Sequence, residues 1–214
     1  MVKTIVAIVV ISIVFVTNSY AGQSNDYVGL TAGLLLPSAS KLTDKNGSSA
    51  TLSYDNMGVS AGASIGHQFG MGLRVEEEIS YKKGVTNKFT YAGTDNKIEN
   101  NVWSIGAMSN LYYDWYHNVD VMADATFSPY VGMGLGLANV HMSEGTVNSS
   151  KVWSSGSDTA FAYQIIIGSG TKIAKNVVLD VSYRYFNASD ITIDQINTNF
   201  SNHNVLLGIR YAFR

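Results

Sequence analysis

Between Val205 and Phe213 the side chains alternate strictly, and no other stretch limits the possible folds so sharply. Val205, Leu207, Ile209, Tyr211 and Phe213 share one face, while Asn204, Leu206, Gly208, Arg210 and Ala212 share the other. A period of two marks a β-strand with one apolar side. An apolar face backed by an arginine-bearing face suits a wall with lipid outside and polar filling inside.

The other end of the chain carries an export pattern. Lys3 is followed by an apolar run from Ile5 to Val16 and by the small-x-small site Ser19-Tyr20-Ala21, which predicts a signal peptide over residues 1–21 and a mature chain from Gly22. The run is shorter than the roughly 20 residues that span a bilayer as a helix. Removing it takes away one of 14 basic residues and none of 16 acidic ones, for a net charge of −3. No basic field remains to neutralise phosphates, which argues against nucleic acid as a partner. There is no cysteine, hence no disulfide framework and no thiolate metal site. Charged residues are 14% of the chain, against roughly 25% in soluble domains, while tyrosine and glycine abound.

Eight segments carry strand patterning: Tyr27–Leu36, Met57–Phe69, Leu73–Lys82, Val102–Tyr113, Ser128–Met142, Ala160–Thr171, Val177–Phe186 and the final strand. An even number suits closure of an antiparallel up-and-down wall. Short links are predicted at Gly70–Gly72, Asp114 to about Thr126 and Ile173–Asn176. Long polar links are predicted at Pro37–Asn56, Lys83–Asn101, Ser143–Thr159 and Asn187–Asn202. Outer-membrane barrels have short periplasmic turns and long external loops, so the four long links should point outward. Glu77 breaks the pattern, standing on the apolar face between Val75 and Ile79 as a bulge, a protein contact or a register error would place it.

The inward positions collect Arg74, Glu76, Glu78, Gln164, Asp180, Arg184 and Arg210. Three basic and three acidic groups inside a narrow barrel predict an ion-pair network filling the interior, since eight strands leave just enough room for side chains. Inward glycines such as Gly62, Gly66, Gly132, Gly134 and Gly168 leave space for them. The run Gly132-Met133-Gly134-Leu135-Gly136 has the wrong spacing for a dinucleotide loop. Aromatic residues group by height: Tyr112, Tyr113, Trp115, Tyr116, Phe69, Tyr211 and Phe213 toward one end, Tyr54, Tyr81, Trp103, Tyr185 and Phe186 toward the other. They predict two girdles at the membrane interfaces.

Catalytic signals are thin. His67, His117, His141 and His203 fall on different elements without metal-ligand spacing, and no cofactor site is expected. His141 and His203 near the outer rim, with Ser143, Glu144 or Asp190, form the one arrangement resembling a hydrolytic site.

Leu36-Pro37-Ser38-Ala39-Ser40, Arg74-Val75-Glu76-Glu77-Glu78, Asn110-Leu111-Tyr112-Tyr113-Asp114, Ser128-Pro129-Tyr130-Val131-Gly132-Met133-Gly134-Leu135-Gly136, Phe161-Ala162-Tyr163-Gln164 and Ser182-Tyr183-Arg184-Tyr185-Phe186 follow one another along the mature chain. Together they resemble the rickettsial surface-antigen family of outer-membrane barrels, which includes the major surface proteins and the Wolbachia surface protein. The resemblance implies an abundant surface antigen, with host contact or porin activity attributed to some members. The chain departs from it in its shorter loops and in Arg214 after the terminal aromatic.

The reading is therefore an all-β, eight-stranded antiparallel up-and-down transmembrane barrel of the OmpA-like kind, occupying residues 22–214 of a bacterial outer membrane. It acts as a non-enzymatic surface protein. Its partners are outer-membrane lipid and lipopolysaccharide, the outer-membrane assembly machinery, and host-cell surface molecules met through the four loops. Lys82, Lys83, Lys88 and Lys97 make the second loop the most cationic and the candidate contact for acidic sugars. A narrow porin and a periplasmic lipocalin-like barrel are the alternatives.

Overall fold

The computed structural model describes residues 25–43, 49–53, 57–91, 94–115, 127–147, 150–193 and 196–213. The expected signal peptide lies outside them. Twelve strands follow in order: β1 (Asp26–Pro37), β2 (Ser40–Thr43), β3 (Ser49–Ser53), β4 (Gly58–Gln68), β5 (Leu73–Tyr91), β6 (Thr94–Asp114), β7 (Ser128–Met142), β8 (Gly145–Val147), β9 (Ser150–Trp153), β10 (Gly156–Ala174), β11 (Val177–Ile193) and β12 (Ile196–Ala212). The longer strands β1, β4, β5, β6, β7, β10, β11 and β12 each pair antiparallel with the next, and β12 returns to β1. This is the eight-stranded closed wall the alternation predicts.

The register fixes its dimensions. From Leu36 the cross-strand partners run His203, Tyr185, Ile165, Met133, Leu111, Val75 and His67 to Asp26, ten residues down β1 from the start. With ordinary strand rise and spacing, that offset over eight strands gives a tilt of about 41° and a backbone radius of about 8 Å. Such a tube is filled by its own side chains.

Outward residues are apolar and exposed, among them Leu30, Ile79, Met133, Ile165, Leu207 and Ile209, and no described helix is long and apolar enough to cross a membrane. The band crosses with strands. At one end the two described connections, β4 to β5 and β10 to β11, are tight: Met71 and Gly72 take left-handed φ values of 62° and 82° to turn β4 into β5. Most of the expected link after Asp114 lies outside the described residues.

At the other end the expected loops are largely strand. β5 and β6 stay paired to Tyr91↔Thr94, and β11 and β12 to Ile193↔Ile196. The links at Lys83–Asn101 and Asn187–Asn202 are therefore hairpins that continue the wall. The first long link holds β2 and β3, which bridge β12 (Asn197↔Thr43) to β5 (Ser53↔Lys88). They close a collar above the ends of β1 and β4. The third holds the small hairpin β8–β9.

Polarity explains why the sequence pattern ends before the strands do. Beyond the lipid band water lies outside, so the alternation inverts: Val102, Val140, Met142, Ile191, Ile193 and Phe200 pack inward as one apolar cluster with Leu42. An extra residue between Ala188 and Ile191, with Asp190 at φ 59°, also shifts the phase of β11.

Candidate functional site

The interior has two storeys. Toward the short-turn end, the buried cations Arg74, Lys82 and Arg184 and the half-buried Arg210 meet buried acids Glu76, Glu78, Asp114 and Asp180. These eight described groups sum to zero charge, as an enclosed low-dielectric site requires. Toward the collar lies the apolar cluster.

Arg74 is the hub. Its Nε donates to Asp114 Oδ2 at 3.0 Å and its Nη1 to the Tyr27 hydroxyl at 3.1 Å, with Glu76 Oε2 at 3.4 Å. Its guanidinium lies 3.9 Å from the Tyr112 ring centre and 5.0 Å from that of Tyr130. Tyr27 and Tyr112 donate to the two Glu76 oxygens at 2.7 and 3.0 Å. The wall is cut to admit these rings: a Cβ at Gly132 would stand 2.5 Å from Tyr112, and one at Gly168 2.5 Å from Tyr130.

Arg210 grips Asp180 through Nε and Nη2 at 2.6 and 2.9 Å. Arg184 donates to Glu78 Oε2, which also accepts from Asn110 at 3.1 Å, and Gln164 donates to Asn110 at 2.7 Å. The structure thus brings the seven interior residues named from sequence into three linked groups. Between them Arg74, Glu76, Asp180, Arg184 and Arg210 border a cavity of about 20 Å³, room for a water molecule and little more.

Several assignments change. Lys82 points inward, 3% exposed, with Nζ donating to Ser80 Oγ at 2.7 Å and lying 4.1 Å from the Phe186 ring centre. It stands on the even, inward phase of β5 and is no loop contact. Lys83, one residue on, faces outward and is exposed. Lys88 and Lys97 are direct partners across the β5–β6 hairpin. Tyr112 and Phe186, expected in the girdles, are buried inside the wall. The network also takes in Asp114, Tyr27 and Tyr130, which the count of inward charges in the sequence leaves out. Asp114 and Tyr112 keep step with inward Asn110, and that phase was the available signal.

Both girdles form nonetheless. Phe69, Tyr113, Trp115, Tyr211 and Phe213 are exposed at the short-turn end. At the other, Tyr81 lies 6.3 Å from Trp103, Trp103 stacks on His141 at 5.0 Å, and His203 stacks on Tyr183 at 5.8 Å. Tyr54 and Tyr116 fall outside the described residues. The rim histidines are thus spent on aromatic stacks, and Glu144 pairs with Lys151 at 2.8 Å. Glu77 faces outward in an unbroken ladder, its Oε2 accepting from Ser109 at 2.7 Å. It is neither a bulge nor a register error.

A closed antiparallel wall with an apolar outer band, aromatic edges and a neutralised ionic interior is a transmembrane barrel of the outer-membrane type. Residues 6–213 match the family of outer membrane protein beta-barrel domains, and the chain belongs to it. It is therefore a protein of the bacterial outer membrane. It is similar to outer membrane protein PagN of Salmonella typhimurium, 30% identical over 131 residues, 54% of this chain and 52% of PagN. The chain spans about half the length of the curated relatives it matches. Its fold resembles the crystal structures of Neisserial surface protein A (22% identity, TM-score 0.52, covering 90% of this chain and 100% of that one). The same holds for OprG from Pseudomonas aeruginosa (14% identity, TM-score 0.56, covering 90% and 98%).

Proposed function

We propose that this barrel displays a rigid collar to the outside and binds acidic surface sugars, of host cells or neighbouring bacteria, through the β5–β6 hairpin. The observation that carries this reading is the direct pairing of Lys88 with Lys97. Like charges directly opposite on paired strands destabilise a hairpin, so a bound anion between them is favoured. Within this hairpin β5 is paired on both sides from Lys88 to Tyr91, with β6 and with β3, so little backbone ordering entropy is lost on binding. The resemblance to rickettsial surface antigens points to the same kind of role. Nothing in the rim stacks supports catalysis, and we read the protein as non-enzymatic. The packed ionic storey and the apolar storey above it favour display over the narrow-porin reading, because buried side chains such as Arg74, Arg184, Phe186 and Phe200 fill the interior among the described residues.

The test is binding of detergent-solubilised protein to immobilised sulfated or sialylated glycans. Replacing both Lys88 and Lys97 with serine is expected to weaken it roughly tenfold and to flatten its salt dependence. Unchanged binding at low and high salt would refute the assignment.

A further inference from the structure

The outward wall of β5 to β7 carries a row unrelated to the collar hairpin. Lys83 lies opposite Trp103, and Trp103 opposite His141, so three outward side chains stand side by side across three strands. The Trp103 and His141 rings are stacked, 5.0 Å apart and 23° from parallel. Tyr81 stands two residues toward the membrane from Lys83, 6.3 Å from Trp103.

Height is set by the neighbours. On the membrane side of the row the outward positions Ile79 and Ile105 are exposed and apolar. On the far side the same strands continue as the polar hairpin. The row therefore sits where hydrocarbon gives way to headgroups, on the leaflet that faces out of the cell. An exposed ammonium at that level attracts a phosphate and repels a choline. Stacked flat rings beside it offer an apolar platform with polar edges, to which the C–H face of a sugar ring is complementary. Phosphate and sugar together describe one class of lipid.

We propose that Lys83, Trp103 and His141 bind the phosphorylated sugar headgroup of an outer-leaflet glycolipid, with Lys83 Nζ on a phosphate and the Trp103–His141 pair under the sugar. The molecule contains its own comparison. On the opposite wall His203 stacks on Tyr183 and accepts or donates a 2.6 Å hydrogen bond to its hydroxyl, with Tyr185 beside it. Among the described residues no lysine or arginine accompanies that cluster on the outward faces of β10, β11 and β12. Aromatic rings occur on both walls; the cation occurs on one. The inference rests on the outer-membrane location alone and is independent of what the β5–β6 hairpin binds.

The test uses the full chain in phosphatidylcholine nanodiscs supplied with equal amounts of bis-phosphorylated lipid A, its dephosphorylated form and phosphatidylglycerol. Retained lipid is read by native mass spectrometry, and folding is checked by heat-modifiable migration in gels. Bis-phosphorylated lipid A is expected to be retained roughly five- to tenfold over each of the others. Lys83→Ala is expected to remove the preference over the dephosphorylated form, Trp103→Leu to remove the preference over phosphatidylglycerol, and His203→Leu to change neither. Equal retention of all three lipids, or a preference that survives both Lys83→Ala and Trp103→Leu, would overturn the proposal. So would phosphatidylglycerol retained as well as lipid A, since that result assigns the row to charge alone.

Discussion

Replacing Arg74 with methionine is expected to destabilise the barrel by about 3–5 kcal/mol, the range for breaking a buried ion pair from one side. Methionine fits the space but leaves Asp114 without its cation and removes a donor from Glu76 and Tyr27. It also strips the cation from between the Tyr112 and Tyr130 rings. The temperature at which unboiled protein ceases to migrate as the folded form should fall sharply, and the urea midpoint with it. Pairing the change with Asp114→Asn should recover part of the loss, because most of the penalty comes from the stranded carboxylate. If Arg74→Met alone leaves the transition unmoved, the interior network does not hold the wall together.

Gly33→Val carries the other large effect, expected to exceed about 3 kcal/mol and to lower the yield of closed barrel. Gly33 lies in the seam where β1 meets β12, and a Cβ there would stand 2.0 Å from the Val205 carbonyl oxygen and 2.9 Å from Leu206 Cα. Both are backbone atoms, so no rotamer change relieves the contact; the seam must open. Ala32→Val, one residue away, adds its methyls to the exposed outer face and should stay within about 0.5 kcal/mol. Folding yield into detergent micelles for the two variants side by side reads the difference.

How far the fold can be read from the sequence follows from where water and lipid lie. Inside the lipid band one face of each strand is apolar, and strands such as β12 declare themselves through Val205, Leu207 and Ile209. Above the band the solvent changes sides. Ile191, Ile193 and Phe200 then point inward, and the extra residue beside Asp190 breaks the phase that would connect them to Tyr185 and Tyr183. A pattern that inverts and slips within ten residues reads as loop, which is why these hairpins read as polar links in the sequence.

The interior network was legible as parity but not as partnership. Arg74, Glu76 and Glu78 declare an inward phase by alternating with Leu73, Val75 and Ile79. That Arg74 pairs with Asp114 depends on the antiparallel offset between β5 and β6, which no local pattern encodes. Tyr27, Tyr112 and Tyr130 were hidden for a related reason. A tyrosine serves equally at a membrane interface or as a hydroxyl donor to a buried carboxylate, and only the facing glycines, such as Gly132 and Gly168, distinguish the two. Lys82 shows the hazard of reading charge by neighbourhood: beside Lys83 in sequence, it occupies the opposite side of the wall.

The arrangement on which all of this depends is that alternate residues of one strand meet hydrocarbon while those between them are enclosed. The chain has no cysteine, so nitroxide side chains can be placed singly along β12 from Val205 to Tyr211 without background. Collision with dissolved oxygen, which concentrates in the acyl layer, should be high at Val205, Leu207, Ile209 and Tyr211 and low at Leu206, Gly208 and Arg210. High oxygen collision at Arg210 and Leu206, or a profile with no period of two, would contradict it.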